Sequence, residues 1–217
     1  MKKATLAAAL LGLAAPAWAH PHIFLDTGLN PVLNAEGALV GVRVIWVYDD
    51  FYSLVLVEEN GFDADGDGRL TEAEGAQLAG FDQRPEEGFT GTTAIYLGDR
   101  ALALSEPFQP RVTMEAGRII STHLRVLDAP LVLDGTPVHL RTFDPAYYAA
   151  FDLSLTPRIE GGGACDLAVL EPDIGTATRV LEQLLGGPVA ESYDAEDFPE
   201  VGESFADTLR LTCPPPS

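Results

Sequence analysis

A chain of 217 residues with 33 acidic and 13 basic side chains is long enough for one ordinary domain with a real hydrophobic core. Its formal charge of −20 repels nucleic acid and anionic lipid and draws cations to the surface, so nucleic-acid binding is set aside at once.

Lys2 and Lys3 precede an almost unbroken apolar run, Ala4–Ala15, and Ala17-Trp18-Ala19 puts small residues where a signal peptidase reads. This pattern predicts a signal peptide over residues 1–19, export to the periplasm, and a mature chain that begins at His20. The apolar run is too short to remain as a membrane span, and no later stretch approaches the roughly 20 apolar residues that one needs. The mature chain, 20–217, is expected to be a single soluble domain. Loss of Lys2 and Lys3 lowers the 13 basic residues to 11 against 33 acidic ones, a formal charge of −22.

Ile23-Phe24-Leu25 predicts an opening strand, and Ala35-Glu36-Gly37 a turn. Leu39–Val47 then alternates as a second strand, with Val42, Val44 and Trp46 on one face. Asp49 and Asp50 stand where a helix is capped, and Phe51–Glu59 reads as helix because a calcium-type loop follows it. Beyond that loop, Leu70 to Leu78 reads as the outgoing helix. From Gly91 the pattern turns to short strands joined by tight turns. Thr93–Leu97 and Ala101–Leu104 flank Gly98-Asp99-Arg100, and Val112–Met114 and Ile119–Leu127 flank Ala116-Gly117. Leu131–Leu133, Val138–Phe143 and Tyr147–Leu155 continue the series. Ile174, Ala177, Val180, Leu181 and Leu184 form an apolar stripe at helical spacing that ends at Gly186-Gly187. Asp207–Thr212 supplies a last strand. The predicted class is α+β: a mainly antiparallel sheet or sandwich, an inserted EF-hand helix–loop–helix over about 50–82, and a C-terminal helix.

The loop reads Asp63-Ala64-Asp65-Gly66-Asp67-Gly68-Arg69-Leu70-Thr71-Glu72-Ala73-Glu74. Calcium takes six to eight hard oxygens. Carboxylates from Asp63, Asp65 and Asp67, the Arg69 carbonyl, Thr71 (often through water) and a bidentate Glu74 fill the six liganding positions, while Gly68 permits the sharp turn. No second loop is present to pair with it, so Leu70 has to pack on the rest of the domain. The expected role is structural, an ion that pins two helices against the sheet.

Cleavage after Ala19 would give His20 a free α-amine beside its own imidazole, a chelate of the neutral nitrogens that suit zinc, copper and nickel. The amine titrates near pH 8, so a metal displaces its proton easily. Pro21 has no amide proton to lose, which forbids the square-planar site that His22 at position three would otherwise invite. His22 remains as a further ligand. Asp49 and Asp50 would join if the first two strands are neighbours, and helix capping explains them equally well. His123 with Arg125, and His139 with Arg141, would meet on one polar face if 121–125 and 138–141 pair antiparallel. The arginines make that face less attractive to a cation. For Cys165 and Cys213 in an exported chain the default is one disulfide tying the C-terminal tail to the strand around Cys165. Two free thiols or a thiolate metal site are the alternatives.

His20-Pro21-His22-Ile23-Phe24-Leu25-Asp26 directly after a signal peptide, Trp46–Asp50 ahead of an EF-like loop, Phe143-Asp144-Pro145-Ala146-Tyr147-Tyr148, and Phe205-Ala206-Asp207 before Cys213 together resemble the domain-of-unknown-function family 1007. The resemblance covers most of the mature chain. It implies a periplasmic accessory that binds a divalent transition metal, zinc or nickel or cobalt, and exchanges it with a membrane permease. The long His-rich tract of many metal chaperones is absent. Two other readings stand beside this one. The first is a calcium-stabilised interaction module with no transition-metal role. The second is a copper-dependent oxidative enzyme with an N-terminal His chelate, for which His123 or His139 would have to complete the site. With no Gly-x-Ser-x-Gly elbow and no phosphate loop, an ordinary hydrolase is not expected.

Overall fold

The computed structural model describes residues 21–83, 91–188 and 198–215. The predicted leader, its cleavage point and His20 lie outside the described residues.

Two five-stranded sheets make up the body. One runs β5 (Phe108–Glu115), β6 (Arg118–Leu131), β2 (Leu39–Tyr48), β1 (Ile23–Leu33), β8 (Ala149–Asp152). The other runs β4 (Arg100–Leu102), β3 (Thr92–Leu97), β7 (Val138–Phe143), β10 (Thr208–Thr212), β9 (Asp166–Leu170). Neighbours pair antiparallel except β1 with β8, which are parallel. Helices α1 (Asp50–Asn60) and α2 (Glu72–Leu78), with a 3₁₀ turn at Phe81–Gln83, are inserted between the sheets' first strands, and α3 (Ile174–Leu185) comes late. The class is α+β, as the alternating patterns predict.

The core follows from period-two alternation. Val42, Val44, Trp46 and Tyr48 on β2 are each at most 1 % exposed, and Ile95, Val138, Leu140, Leu209 and Leu211 of the opposite sheet are fully buried. Each such apolar side chain contributes about 1.5–3 kcal/mol. The Trp46 indole N–H donates to Thr142 Oγ1 (3.3 Å), which joins the two inner faces with a polar contact. The strip Leu131–Leu133, expected as a separate strand, is instead the end of the long β6 and the start of the crossing to β7.

That crossing removes the condition under which His123 and His139 would meet. β6 pairs with β2 and β5, whereas β7 pairs with β3 and β10, so 121–125 and 138–141 belong to different sheets. Both strands have a buried alternate face (Ile119, Ser121, His123; Val138, Leu140, Thr142). Two strands that each carry an inward face satisfy both by facing each other across a sandwich. The helical stripe on α3 is likewise divided. Ala177 and Leu181 pack with Phe198, Val201 and Phe205, while Ile174, Val180 and Leu184 remain exposed.

Cys165, just before β9, and Cys213, just after β10, form the expected disulfide. It closes a separation of 48 residues beside Asp166↔Thr212, the outermost pair of the terminal strand β9. A crosslink over such a loop stabilises mainly by restricting the unfolded chain. Replacing both cysteines by serine should lower the unfolding free energy by about 2–4 kcal/mol, read as a fall in the urea midpoint. An unchanged midpoint would contradict this.

Candidate metal centre

The acidic loop is built from its ends inward. α1 stops where Gly61 takes a left-handed conformation (φ 66°) and its N–H returns to the Glu58 and Val57 carbonyls. α2 starts with a capping box: the Glu74 N–H donates to Thr71 Oγ1, while Glu74 Oε2 accepts from the Thr71 N–H (2.7 Å). Glu74 Oε1 accepts from the Asp63 N–H (3.2 Å), which ties the last loop residue to the first. Gly66 and Gly68 both adopt positive φ, 68° and 75°. The turn this allows lets the Gly68 N–H donate to the Asp63 carboxylate (3.2 Å).

The result is that oxygens of Asp63, Asp65 and Asp67 lie within 4.8 Å of one another. Three like charges at that spacing repel by about 1 kcal/mol per pair even in water, and nothing basic in the loop pairs with them. Arg69 is exposed, and its side chain is in no ion pair among the described residues. A hard divalent cation would relieve the repulsion, and the donors are the oxygen type that calcium takes. The residues therefore fit the ion. Glu74 is outside the three-carboxylate cluster because both its oxygens cap amides. Its bonds from Thr71 hold it below the usual carboxylate range, so a cation would have to share its oxygens with those amides.

The loop is fastened to the sheet. Leu70 packs on the core, and the Gly117 N–H at the β5–β6 turn donates to the Gly68 carbonyl (3.4 Å). On α2, Gly75 lies against β5 so closely that a Cβ there would meet the Val112 carbonyl oxygen at 2.4 Å.

The other predicted donors are scattered. His22 is exposed just ahead of β1; its N–H donates to the Tyr148 carbonyl (2.7 Å) and its ring lies 4.8 Å from the Tyr148 ring. β1 and β2 are neighbours as required, but Asp49 is occupied. One oxygen caps α1 through the Tyr52 N–H (2.8 Å), and the other accepts from the Phe24 N–H (2.9 Å). Asp50 is exposed, 4.0 Å from Arg118. His139 points outward from β7 into a shallow hollow with Tyr96, Arg141 and Glu203, where Arg141 pairs with Glu203 (3.1 Å). His123 points inward, 2 % exposed, its ring edge-on to Trp46. His123 and His139 therefore do not meet. Among the described residues, His22, Asp49, Asp50, His123 and His139 form no group of three donors within 4.8 Å, whereas the acidic loop does.

Arg118, which sequence reasoning passed over, organises the region beside Asp50. Its guanidinium donates to Asp26 Oδ2 (2.7 Å) and to the Tyr48 and Val47 carbonyls (2.7 and 3.2 Å). With Ser154 it holds the Asp26 carboxyl below its ordinary range. No local signal marks Arg118, because its hydrogen-bond partners are 70 or more residues away.

Burial, aided by the charge of Arg125, pushes the His123 imidazole down to about 4 from its ordinary 6.5. The unfolded chain takes up this proton below pH 6.5, and the folded chain only near pH 4. Stability is therefore lost as pH falls through that window, by roughly 3 kcal/mol for this group. Asp82, raised by burial beneath Tyr48, acts in the opposite direction, since its folded form favours the proton. The difference between wild type and His123→Gln isolates the histidine. Between pH 6.5 and 4 the variant should lose less stability than wild type in urea titrations, and equal losses would contradict the assignment.

No curated protein matches the chain. Residues 5–213 match the family described as protein of unknown function (DUF1007), a span that holds both sheets, the acidic loop and both cysteines. The chain belongs to the DUF1007 family.

Proposed function

We propose that this protein is a periplasmic accessory that binds a divalent transition metal, zinc or nickel or cobalt, in concert with a membrane permease, and that it carries a structural calcium ion in its acidic loop. The observation that carries the calcium part is the convergence of Asp63, Asp65 and Asp67 on one point of a loop anchored at both ends. When bound, calcium would supply the positive charge that holds these carboxylates together, with the Arg69 carbonyl, Thr71 and Glu74 completing the shell.

The transition-metal part rests on the chemistry of the processed N-terminus. Inward-facing His123 and arginine-flanked His139 are poor donors, so the nitrogen ligands of this reading are the α-amine and imidazole of His20, with His22 exposed two residues on. Asp49 is spent on amides, which leaves the exposed Asp50, 4.0 Å from Arg118, as the nearby carboxylate. A second reading, a calcium-stabilised interaction module without a transition metal, is favoured by one observation. The donors that converge among the described residues are all hard oxygens.

Two measurements divide these readings. Calcium should raise the thermal midpoint of the full chain, and Asp63→Asn with Asp67→Asn should weaken calcium binding by about tenfold or more, as expected when two charged ligands are removed. No calcium effect on wild type would remove the structural ion. Zinc and nickel titrations of protein starting at His20 should give a tight site that is weakened at least about tenfold by one added residue before His20, since the added peptide bond removes the amine donor. Equal affinity in both forms would leave only the interaction module.

A further inference from the structure

Neither the acidic loop nor the N-terminal histidines account for a groove that runs along β8. It consists of two adjoining cavities of about 450 and 320 Å³, with Ala150 and Asp152 lining both. β8 and β9 are the end strands of their sheets, and the larger cavity opens between them. Its walls are apolar: Tyr147 stacked on Phe205 (4.5 Å), Phe151, Val169 and the half-exposed Ile174.

The polar lining has one sign. Asp152, Glu171 and Asp207 face the larger cavity, and Asp26, Asp49 and Asp50 face the smaller. Arg118 is the one basic residue lining either, and its charge is committed to Asp26. Asp152, Glu171 and Asp207 take part in no ion pair among the described residues. Asp207 is held in place by accepting from the Leu153 N–H (3.0 Å), and Asp152 lies opposite Asp26 in the β1–β8 register. Burial, the charges of Asp207 and Asp26 and a hydrogen bond with Asp207 hold the Asp152 carboxyl above its ordinary range.

A small metal ion does not suit this arrangement. Its donors must converge, and among the described residues a group of three such donors occurs only in the acidic loop. Here the carboxylates come from different elements, Asp152 from β8, Asp26 from β1, Asp207 just ahead of β10 and Glu171 just after β9, beside walls that need an apolar occupant. We propose that the groove docks an extended cationic segment of a partner polypeptide, its Lys or Arg side chains on Asp152, Asp207 and Glu171 and an apolar side chain against Tyr147 and Ile174. The Arg118–Asp26 pair shows how a guanidinium lies on this surface. The proposal stands apart from the choice of metal.

The probe is a fluorescein-labelled peptide of alternating Arg and Leu, six residues long, titrated by anisotropy with the full chain in constant calcium. Its citrulline counterpart has the same shape without charge. Saturable binding of the arginine peptide alone is expected. Asp152→Asn with Asp207→Asn should weaken it by about tenfold or more, since both contacts are central and partly desolvated. Asp128→Asn with Glu36→Gln, remote exposed acids with the same change of charge, should change it by less than about twofold. Ile174→Ser, which alters no charge, should weaken it several-fold. Asn at 207 keeps an acceptor for Leu153, so the fold is preserved. Absence of saturable binding, equal binding of the citrulline peptide, equal loss in the remote pair, or displacement of the peptide by zinc through Asp152 and Asp207 would each overturn the proposal.

Discussion

The placement of the acidic loop depends on the approach of α2 to β5 at Gly75. A side chain at that position would collide with the Val112 carbonyl, so only glycine lets the helix lie flat on the strand. That contact fixes the first turn of α2, and with it Thr71 and Glu74, whose capping box closes the loop onto the Asp63 amide. The same sheet meets the other side of the loop through Gly117 and Gly68. A lone loop of this type has no sister loop to brace it. Here the β5–β6 hairpin takes that part, and α1 is fastened as well, since Ser53 Oγ accepts from the Ile119 N–H (2.9 Å).

The insert also closes one end of the sandwich. Phe81 is buried against Tyr48 (5.4 Å), and the Tyr48 hydroxyl donates to Asp82 (3.1 Å), so a carboxyl is carried into the interior where burial raises its proton affinity. Trp46 with Thr142, and His123 edge-on to Trp46, continue a polar seam between otherwise apolar faces. Such a seam costs stability wherever a partner is missing, and it fixes register wherever partners are present. It also explains why the histidines differ. His123 belongs to the seam, His139 to the outer face, and His22 to the start of β1.

Much of this was legible locally. The alternation of Val42, Val44 and Trp46 marks an inward face, Ala116-Gly117 marks a hairpin, and the spacing from Asp63 to Glu74 marks a turn on which carboxylates converge, because each depends on neighbours in sequence. What was not legible depends on distant partners. Ile119 and Ile120 are both apolar, so the parity of β6, and hence the inward direction of His123, could not be read from pattern. Alternation also says which face is buried but not which sheet a strand joins, so whether β6 and β7 pair stayed open. The parallel union of β1 with β8 spans more than a hundred residues and leaves no local trace, yet it brings Asp26 opposite Asp152. Short segments that carry the family resemblance, around Asp26, Asp49, Tyr147 and Asp207, come together beside that union.

If calcium occupies the acidic loop as proposed, the loop and the β5–β6 hairpin should respond to it as one unit. Amide hydrogen exchange on the full chain, with calcium and with chelator, tests it most directly. The account predicts that calcium slows exchange at Gly68, Thr71 and Gly75 and, across the chain, at Gly117, whose N–H is held by the Gly68 carbonyl. Protection within the loop alone, with Gly117 unchanged, would show that the loop is an independent appendage and would contradict the account.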